Sequence, residues 1–457
     1  MILALPLAIA WLSAVILAPL NGRLRWVGWL AIVQLSASFV ALLWLGIDVL
    51  RHGANQVVAG GWEPGVGISL RADELGIVFA VVSIGALLVA LIYEVLNGVH
   101  ESFFPALVLF MATGLTGLFL TGDVFNFYVF FEISMASAFV LSGYGREQRQ
   151  LRAALIFTVV NLLGSVIFLS GVTALYHVTG TLDMGQIARI MGERTASSSI
   201  LIGVLFLVAF SIKLGLFPFH FWLPPIYRDS WPSVATIFAG ALGNIGSYGL
   251  LRFGAELLEP ELRFGAPVLI ILGAGSVLYG SLQAITVRTS SEALAYSAVG
   301  NAGYILLGLA IGGPVGYFAA VLFALVNPVN KVILFLASDL RGWLAGAAFA
   351  IGAFSVAGIP PSAGFFGKLL LFQASIDAGN PWLVALIFTG SALSFLYMLR
   401  IYQRGFWADG KPDVFSSFWA RALVLSVALL VVALGVWPEP MLSISRQAAD
   451  VLLLGGH

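Results

Sequence analysis

Hydrophobic positions along this chain come in long runs divided by short polar breaks. The runs cover residues 2–20, 27–48, 75–97, 103–120, 124–143, 153–176, 198–223, 233–256, 264–287, 291–313, 315–338, 344–376, 381–403 and 420–442. About 20 apolar residues suffice to cross a bilayer as a helix. Backbone polar groups in lipid must be satisfied inside the segment, and the runs are too long and uniform for barrel strands. The pattern therefore predicts an all-α integral membrane protein of about fourteen transmembrane helices. No basic segment precedes the first run, so it is expected to be a transmembrane helix and not a signal peptide.

Two runs are interrupted by proline. The seventh reads Phe210-Ser-Ile-Lys213-Leu-Gly-Leu-Phe217-Pro218-Phe-His220-Phe-Trp222-Leu-Pro224-Pro225, and the twelfth reads Ala357-Gly-Ile-Pro360-Pro361-Ser-Ala-Gly364-Phe-Phe-Gly367-Lys368. Proline removes a backbone donor and breaks the helix. Paired interruptions five helices apart point to inverted repeats, because five is odd and equivalent helices then run in opposite directions. The expected organisation is helices 1–3 in residues 1–102, a first five-helix unit in 103–258, a second in 259–405, and a last helix with its tail in 406–457.

The polar breaks carry an uneven charge. Twelve basic residues lie in loops after odd-numbered helices (Arg23, Arg25, Arg146, Arg149, Arg152, Arg228, Arg288, Arg341, Arg400, Arg404, Lys411, Arg421). Six lie after even-numbered ones (Arg51, Arg71, Arg189, Arg194, Arg252, Arg263). Basic loops stay inside, so both termini are expected outside, in an inner or plasma membrane.

Composition agrees. The chain is 60% hydrophobic and 10% charged, against about 25% charged in soluble domains. Its net charge of zero gives no support for a nucleic-acid partner. Without cysteine there are no disulfides, thiolate metal sites or cluster ligands. The five histidines (52, 100, 177, 220, 457) show no metal-ligand spacing, and neither a P-loop nor a dinucleotide fingerprint occurs. No cofactor, resident metal or catalytic residue is expected.

The chemistry lies in buried charge. There are four lysines, and Lys213, Lys331 and Lys368 fall inside apolar runs; Lys411 does not. A cation at mid-bilayer costs about 2.5–3.5 kcal/mol on insertion scales. Glu132 adds a mid-segment carboxylate in Asn126-Phe-Tyr-Val-Phe-Phe-Glu132. Burial favours the neutral form of each group, while an opposite charge nearby restores the charged form. Such coupled sites can pass protons, and lysine suits the task because arginine stays charged. The competing reading is a set of fixed interhelical ion pairs. His220, after the seventh-run break, could shuttle protons or be a hydrogen-bonded helix-end histidine. Asp123 could serve the relay or simply cap the fifth helix. Asn244 and Asn301 are polar groups that could hold water or act as interhelical glue.

These motifs also carry a resemblance. Leu118-Phe-Leu-Thr-Gly-Asp123-Val-Phe-Asn126-Phe-Tyr-Val-Phe-Phe-Glu132 resembles the fifth helix of the antiporter-like subunits of Mrp cation/proton antiporters, respiratory complex I and related hydrogenases. Residues Gly60–Asp73, Val178–Met184, Lys213–Pro224, Leu294–Gly308, Ala357–Lys368 and Tyr397–Arg400 are similar to other motifs of that superfamily, nearest its D-type Mrp members. The resemblance implies fourteen helices, two inverted five-helix units and integral membrane partner subunits. By motif position it implies a proton route through Glu132, Lys213, Lys331 and Lys368, coupled to a monovalent cation such as Na⁺. The alternatives it leaves are a redox-driven membrane arm and a non-pumping structural copy. One departure stands out: Asn244 occupies the place where the family usually has a central lysine. Ser291-Glu292 also replaces a Lys-Arg pair, and Asn301 and Pro328 replace histidines.

Overall fold

The computed structural model describes residues 2–61, 67–145, 147–193, 196–407 and 417–454. Arg146, Arg194, Lys411, His457 and Trp62–Val66 lie outside the described residues. Helix occupies most of every expected transmembrane run. Eleven helical spans are long and apolar enough to cross a membrane, and Ile2–Leu17, Phe104–Phe119 and Trp343–Ala357 are shorter apolar helices.

In chain order the elements are α1 (Leu5–Leu17), α2 (Arg25–His52), strands β1 (Asn55–Val58) and β2 (Ser69–Ala72), α3 (Glu74–Asn97), α4 (Phe104–Phe119), α5 (Val124–Ser142) and α6 (Gln148–Thr179). A short amphipathic helix, α7 (Met184–Gly192), precedes the broken seventh span, which comprises α8 (Ala196–Leu214), a 3₁₀ turn (Phe219–Trp222) and α9 (Leu223–Asp229). The eighth span, Pro232–Leu257, holds α10 (Pro232–Ile237) and α11 (Asn244–Gly249) between wider π-helical turns at Phe238–Leu242 and Leu250–Leu257. Then come α12 (Glu259–Thr286), α13 (Ser290–Ile311), α14 (Gly313–Asp339), α15 (Trp343–Ala357), α16 (Ala363–Asp377), α17 (Pro381–Tyr402), α18 (Phe418–Val436) and α19 (Glu439–Leu454).

Burial orders the spans. The apolar windows of the eighth span and of α14 are both 94% buried, so these two form the axis; that of α18 is 22% buried, so it lies at the periphery. Helices α12 and α13 meet through small residues. A Cβ added at Gly280 would stand 2.5 Å from the Gly300 nitrogen, and this close approach lets dispersion hold helices together where no hydrophobic drive exists.

The first and last described residues share one face, called here the terminal face: Ile2–Ala4 packs on β2, and Leu452 and Leu453 stand beside Ala255, Glu259 and Gly312. There β1 and β2 pair antiparallel, Asn55 opposite Ala72. The Gly122 amide donates to the Ser69 carbonyl (2.9 Å) and the Met184 amide to the Gly122 carbonyl (2.9 Å), so three loops are stitched together. The expected last run, 420–442, needs correcting. Pro438 cannot continue the ladder, so α18 stops at Val436 and a separate helix, α19, packs against α3 and α14. The expected twelfth run, 344–376, likewise divides at Gly358–Ser362 into α15 and α16.

Candidate functional site

The broken seventh span creates the first polar position. Helix α8 ends at Leu214, and Gly215 turns away with φ +71°. The Ile212 carbonyl accepts from the Gly215 amide (3.2 Å) and from Trp222 Nε1 (2.9 Å). Lys213, in the last turn, reaches inward: its Nζ donates to the Asn161 carbonyl (2.9 Å) and Ser165 Oγ (3.4 Å) and lies 4.1 Å from the Phe131 ring centroid. Glu132 follows Phe131 on α5 and is half-buried. Among the described residues its buried Oε1 has no hydrogen-bond partner.

A small cavity joins Lys213 to Lys331 of α14, with Asn161, Trp222, Tyr227 and Phe238 among its walls. Its room for water centres is about 10 Å³, enough for about one water. A second cavity of similar size against α14 is lined by Asn301, Asn327, Asn330 and Ser355. Asn301 Nδ2 donates to Asn327 Oδ1 (3.0 Å), while the buried Asn330 Oδ1 has no partner among the described residues. Beyond it lies Lys368 of α16. Its Nζ donates to the carbonyl of Ala357 (3.2 Å), the last residue of α15, and lies 5.1 Å from the Tyr304 ring centroid. Helix C-termini attract cations, which is why the lysine settles at the break. The first cavity thus joins Lys213 to Lys331, and the second lies between Asn330 of α14 and helix α16, which carries Lys368.

Three candidates sit elsewhere. The Asn244 amide donates to Ser83 Oγ of α3 (2.8 Å) and the Gly240 carbonyl (3.1 Å). Its neighbours Gly243 and Ile245 line the first cavity; Asn244 does not. His220 is packed among Phe217, Tyr279 and Tyr296, with ring centroids 5.7, 4.6 and 6.3 Å away, outside that cavity. Asp123 caps α5 by accepting from the Asn126 amide (2.7 Å) at the terminal face, where burial pushes its carboxyl up.

Two charged clusters escaped the sequence reading. At the terminal face Asp73 receives Arg252 (2.6 Å) and Arg71 (3.0 Å), and Glu256 receives Arg71 (2.9 Å) and Arg252. Burial pushes the Asp73 carboxyl up, but Arg252 and Arg71 outweigh it and hold it at about 2. At the opposite face Glu94 of α3 gathers Tyr144, Ser233 and His100. The available signals were Arg71 and Asp73 in the Gly60–Asp73 motif, Arg252 among the basic residues after even-numbered helices, and Glu94 as a lone acid closing an apolar run.

Comparison with known proteins follows this geometry. The family described as "NADH:quinone oxidoreductase/Mrp antiporter, TM" matches residues 121–341 and 344–394. The D component of the Na⁺/H⁺ antiporter of Alkalihalophilus pseudofirmus is 30% identical over 438 residues, which are 90% of this chain and 89% of the relative. Antiporter subunit mnhD2 of Staphylococcus aureus is 29% identical over 98% of this chain and 95% of its own. A chain of the Mrp complex from Dietzia sp. DQ12-45-1b superposes with a TM-score of 0.89 at 27% identity, covering 98% of this chain and 97% of that one. A chain of an archaeal sulfane sulfur reductase complex shares the fold, with a TM-score of 0.90 at 24% identity and coverage of 99% and 97%. With a family model spanning more than half its length and antiporter relatives along nearly all of it, this chain belongs to the membrane-subunit family shared by NADH:quinone oxidoreductases and Mrp antiporters.

Proposed function

We propose that this chain is the proton-translocating, D-type component of a multisubunit Mrp-type monovalent cation/proton antiporter. The observation that carries the reading is the set of buried lysines Lys213, Lys331 and Lys368, with two one-water cavities among their helices and half-buried Glu132 on α5. A proton arriving at Glu132 removes the negative field that favours charged Lys213. Lys213 can then release its proton toward the cavity shared with Lys331, and the disturbance passes on. Lys368 ends the relay. Asn301 and Asn330 offer polar partners to water between them.

In this reading residues 103–258 and 259–405 act as two five-helix units, each with a lysine at its broken helix. The basic residues crowd the face opposite the termini, which supports a plasma-membrane orientation with the termini outside. Other integral subunits complete the complex. A second reading, a membrane arm of a redox-driven enzyme, draws support from the complex I chain of Thermus thermophilus that superposes with a TM-score of 0.84 at 25% identity. Co-purifying proteins separate the two: small antiporter subunits support the first, iron–sulfur proteins the second. The direct test is Na⁺-driven proton flux in liposomes containing the intact complex. Glu132→Gln is expected to lower the flux at least about tenfold, within the range of proton-transfer contributions. Unchanged flux in a fully assembled complex would favour a scaffold instead.

A further inference from the structure

At the face opposite the chain termini, the last turns of α3 bury a carboxylate. Glu94 is 3% exposed. Its Oε1 accepts from Tyr144 OH and faces His100 Nδ1 at 2.9 Å; its Oε2 accepts from Ser233 Oγ at 2.6 Å. The His100 amide also points at it, 3.4 Å from Oε1. The His100 side chain is 40% exposed and lies on the Trp231 ring, centroids 4.0 Å apart. Solvent, imidazole, carboxylate and hydroxyl therefore form a continuous hydrogen-bonded series that grows steadily more buried.

The series also leads somewhere. Ser233 lies in the first turn of the eighth span, five residues before Phe238, a wall of the Lys213–Lys331 cavity. Five residues of helix advance about 7–8 Å. The series thus ends roughly one and a half turns below the polar axis.

We propose that His100 and Glu94 are the proton-loading site of this face, feeding the cavity through Ser233. This rests on the proton-translocating reading above. Nε2 of neutral His100 takes a proton from water, and Nδ1 gives its proton to Glu94 Oε1. The imidazole is neutral again as its Nε2–H tautomer, which a ring flip or proton exchange with solvent at the exposed ring returns to Nδ1–H, and Glu94 is a neutral acid. Release of the proton on the Ser233 side resets the carboxylate. One proton enters, one leaves, and no net charge stays behind.

The surrounding charges suit this role. His100 is bonded by Glu94, which raises it above the ordinary imidazole value against a smaller lowering by burial. Arg23, from the α1–α2 loop, donates to the His100 carbonyl (2.8 Å) and pairs with Glu101 (3.4 Å). Tyr144 follows α5. On α3 itself, Tyr93 is occupied with Asp339 of α14 (2.7 Å). Arg23 and Glu101 are opposite charges, and Asp339 is engaged by Tyr93.

The test uses the whole complex in liposomes, with initial proton flux measured against the pH bathing this face from about 6 to 9, around the imidazole range. His100→Gln keeps a donor but cannot titrate. It is expected to remove the inflection of the rate–pH curve. Glu94→Gln is expected to lower the maximal rate at least about tenfold, with part restored in Glu94→Asp. A wild-type rate and profile in both His100→Gln and Glu94→Gln would overturn the port. If Glu94→Gln prevents assembly, an unchanged profile in His100→Gln alone overturns it. Lys213→Ala, measured alongside, separates the two claims. Flux lost in Lys213→Ala but normal in the port variants removes only the port. Flux unchanged in Lys213→Ala removes the translocation reading beneath it.

Discussion

Replacing Arg252 by methionine should destabilise the protein severely, and the terminal-face cluster gives the size of the effect. Two guanidiniums and two carboxylates form a closed neutral set: Arg252 and Arg71 each touch Asp73 and Glu256. Arg252 also donates to Tyr248 OH (3.0 Å). Loss of Arg252 leaves two buried carboxylates sharing one arginine. Removing one partner of a buried pair costs about 3–5 kcal/mol, because a charge stays desolvated and uncompensated. The thermal midpoint of the detergent-solubilised complex is the assay. The double variant Arg252→Met, Glu256→Gln restores neutrality, so its loss should be smaller than that of Arg252→Met alone. A pH series adds a sign. The Asp73 carboxyl is held at about 2, below its ordinary 3.8. Its contribution is fully present above about 4 and is lost as pH falls toward about 2. The reasoning is refuted if Arg252→Met costs under about 1 kcal/mol, the scale of an exposed pair, or if the neutral double variant is no better than the single one.

Three further outcomes follow from the same contacts. Lys213→Arg should fail in proton flux as Lys213→Met does, because a guanidinium keeps its charge and cannot cycle; flux near wild type would mean that the lysine only balances charge. Asn244→Ala should keep flux within about twofold while lowering the thermal midpoint, since the lost bond to Ser83 is an interhelical contact worth about 0.6–2 kcal/mol. Ser83→Ala should lower it similarly, with little added in the double variant; a large loss of flux in Asn244→Ala would put the eighth span's amide on the route. Gly280→Leu should abolish assembly, as even a Cβ there meets the Gly300 backbone nitrogen at 2.5 Å; a normally assembled complex would show that α12 and α13 can separate without cost.

Much of the fold was legible along the chain. In lipid a run of about 20 apolar residues has few options besides helix, so the eleven helices long and apolar enough to cross follow from length alone. The breaks at Pro218 and Pro360-Pro361 follow from a missing donor, and the buried lysines stand out because insertion makes them costly. Two elements were not legible. Helices α7 and α19 are short and amphipathic, with charged residues such as Arg189, Arg446 and Asp450, so they read as loop and tail.

Facing was hidden as well. Membrane helices are apolar on nearly every side, so hydrophobic periodicity does not tell which side meets which neighbour. Asn244 illustrates this: its position in the chain suggests a gap between lysines, yet its amide bonds Ser83 on α3, and the Lys213–Lys331 cavity passes it by. Glu94 is the converse. At the end of an apolar run it reads as an interfacial residue, and only packing draws Tyr144, Ser233 and His100 around it, from positions up to 139 residues away. The chain by itself determined which segments form apolar helices, where two helices break and which rare charges fall inside apolar runs, because transfer into lipid is decided segment by segment. Only the tertiary structure decided which charges share a cavity, because that depends on how each helix is rotated against its neighbours, and small-residue packing sets the rotation.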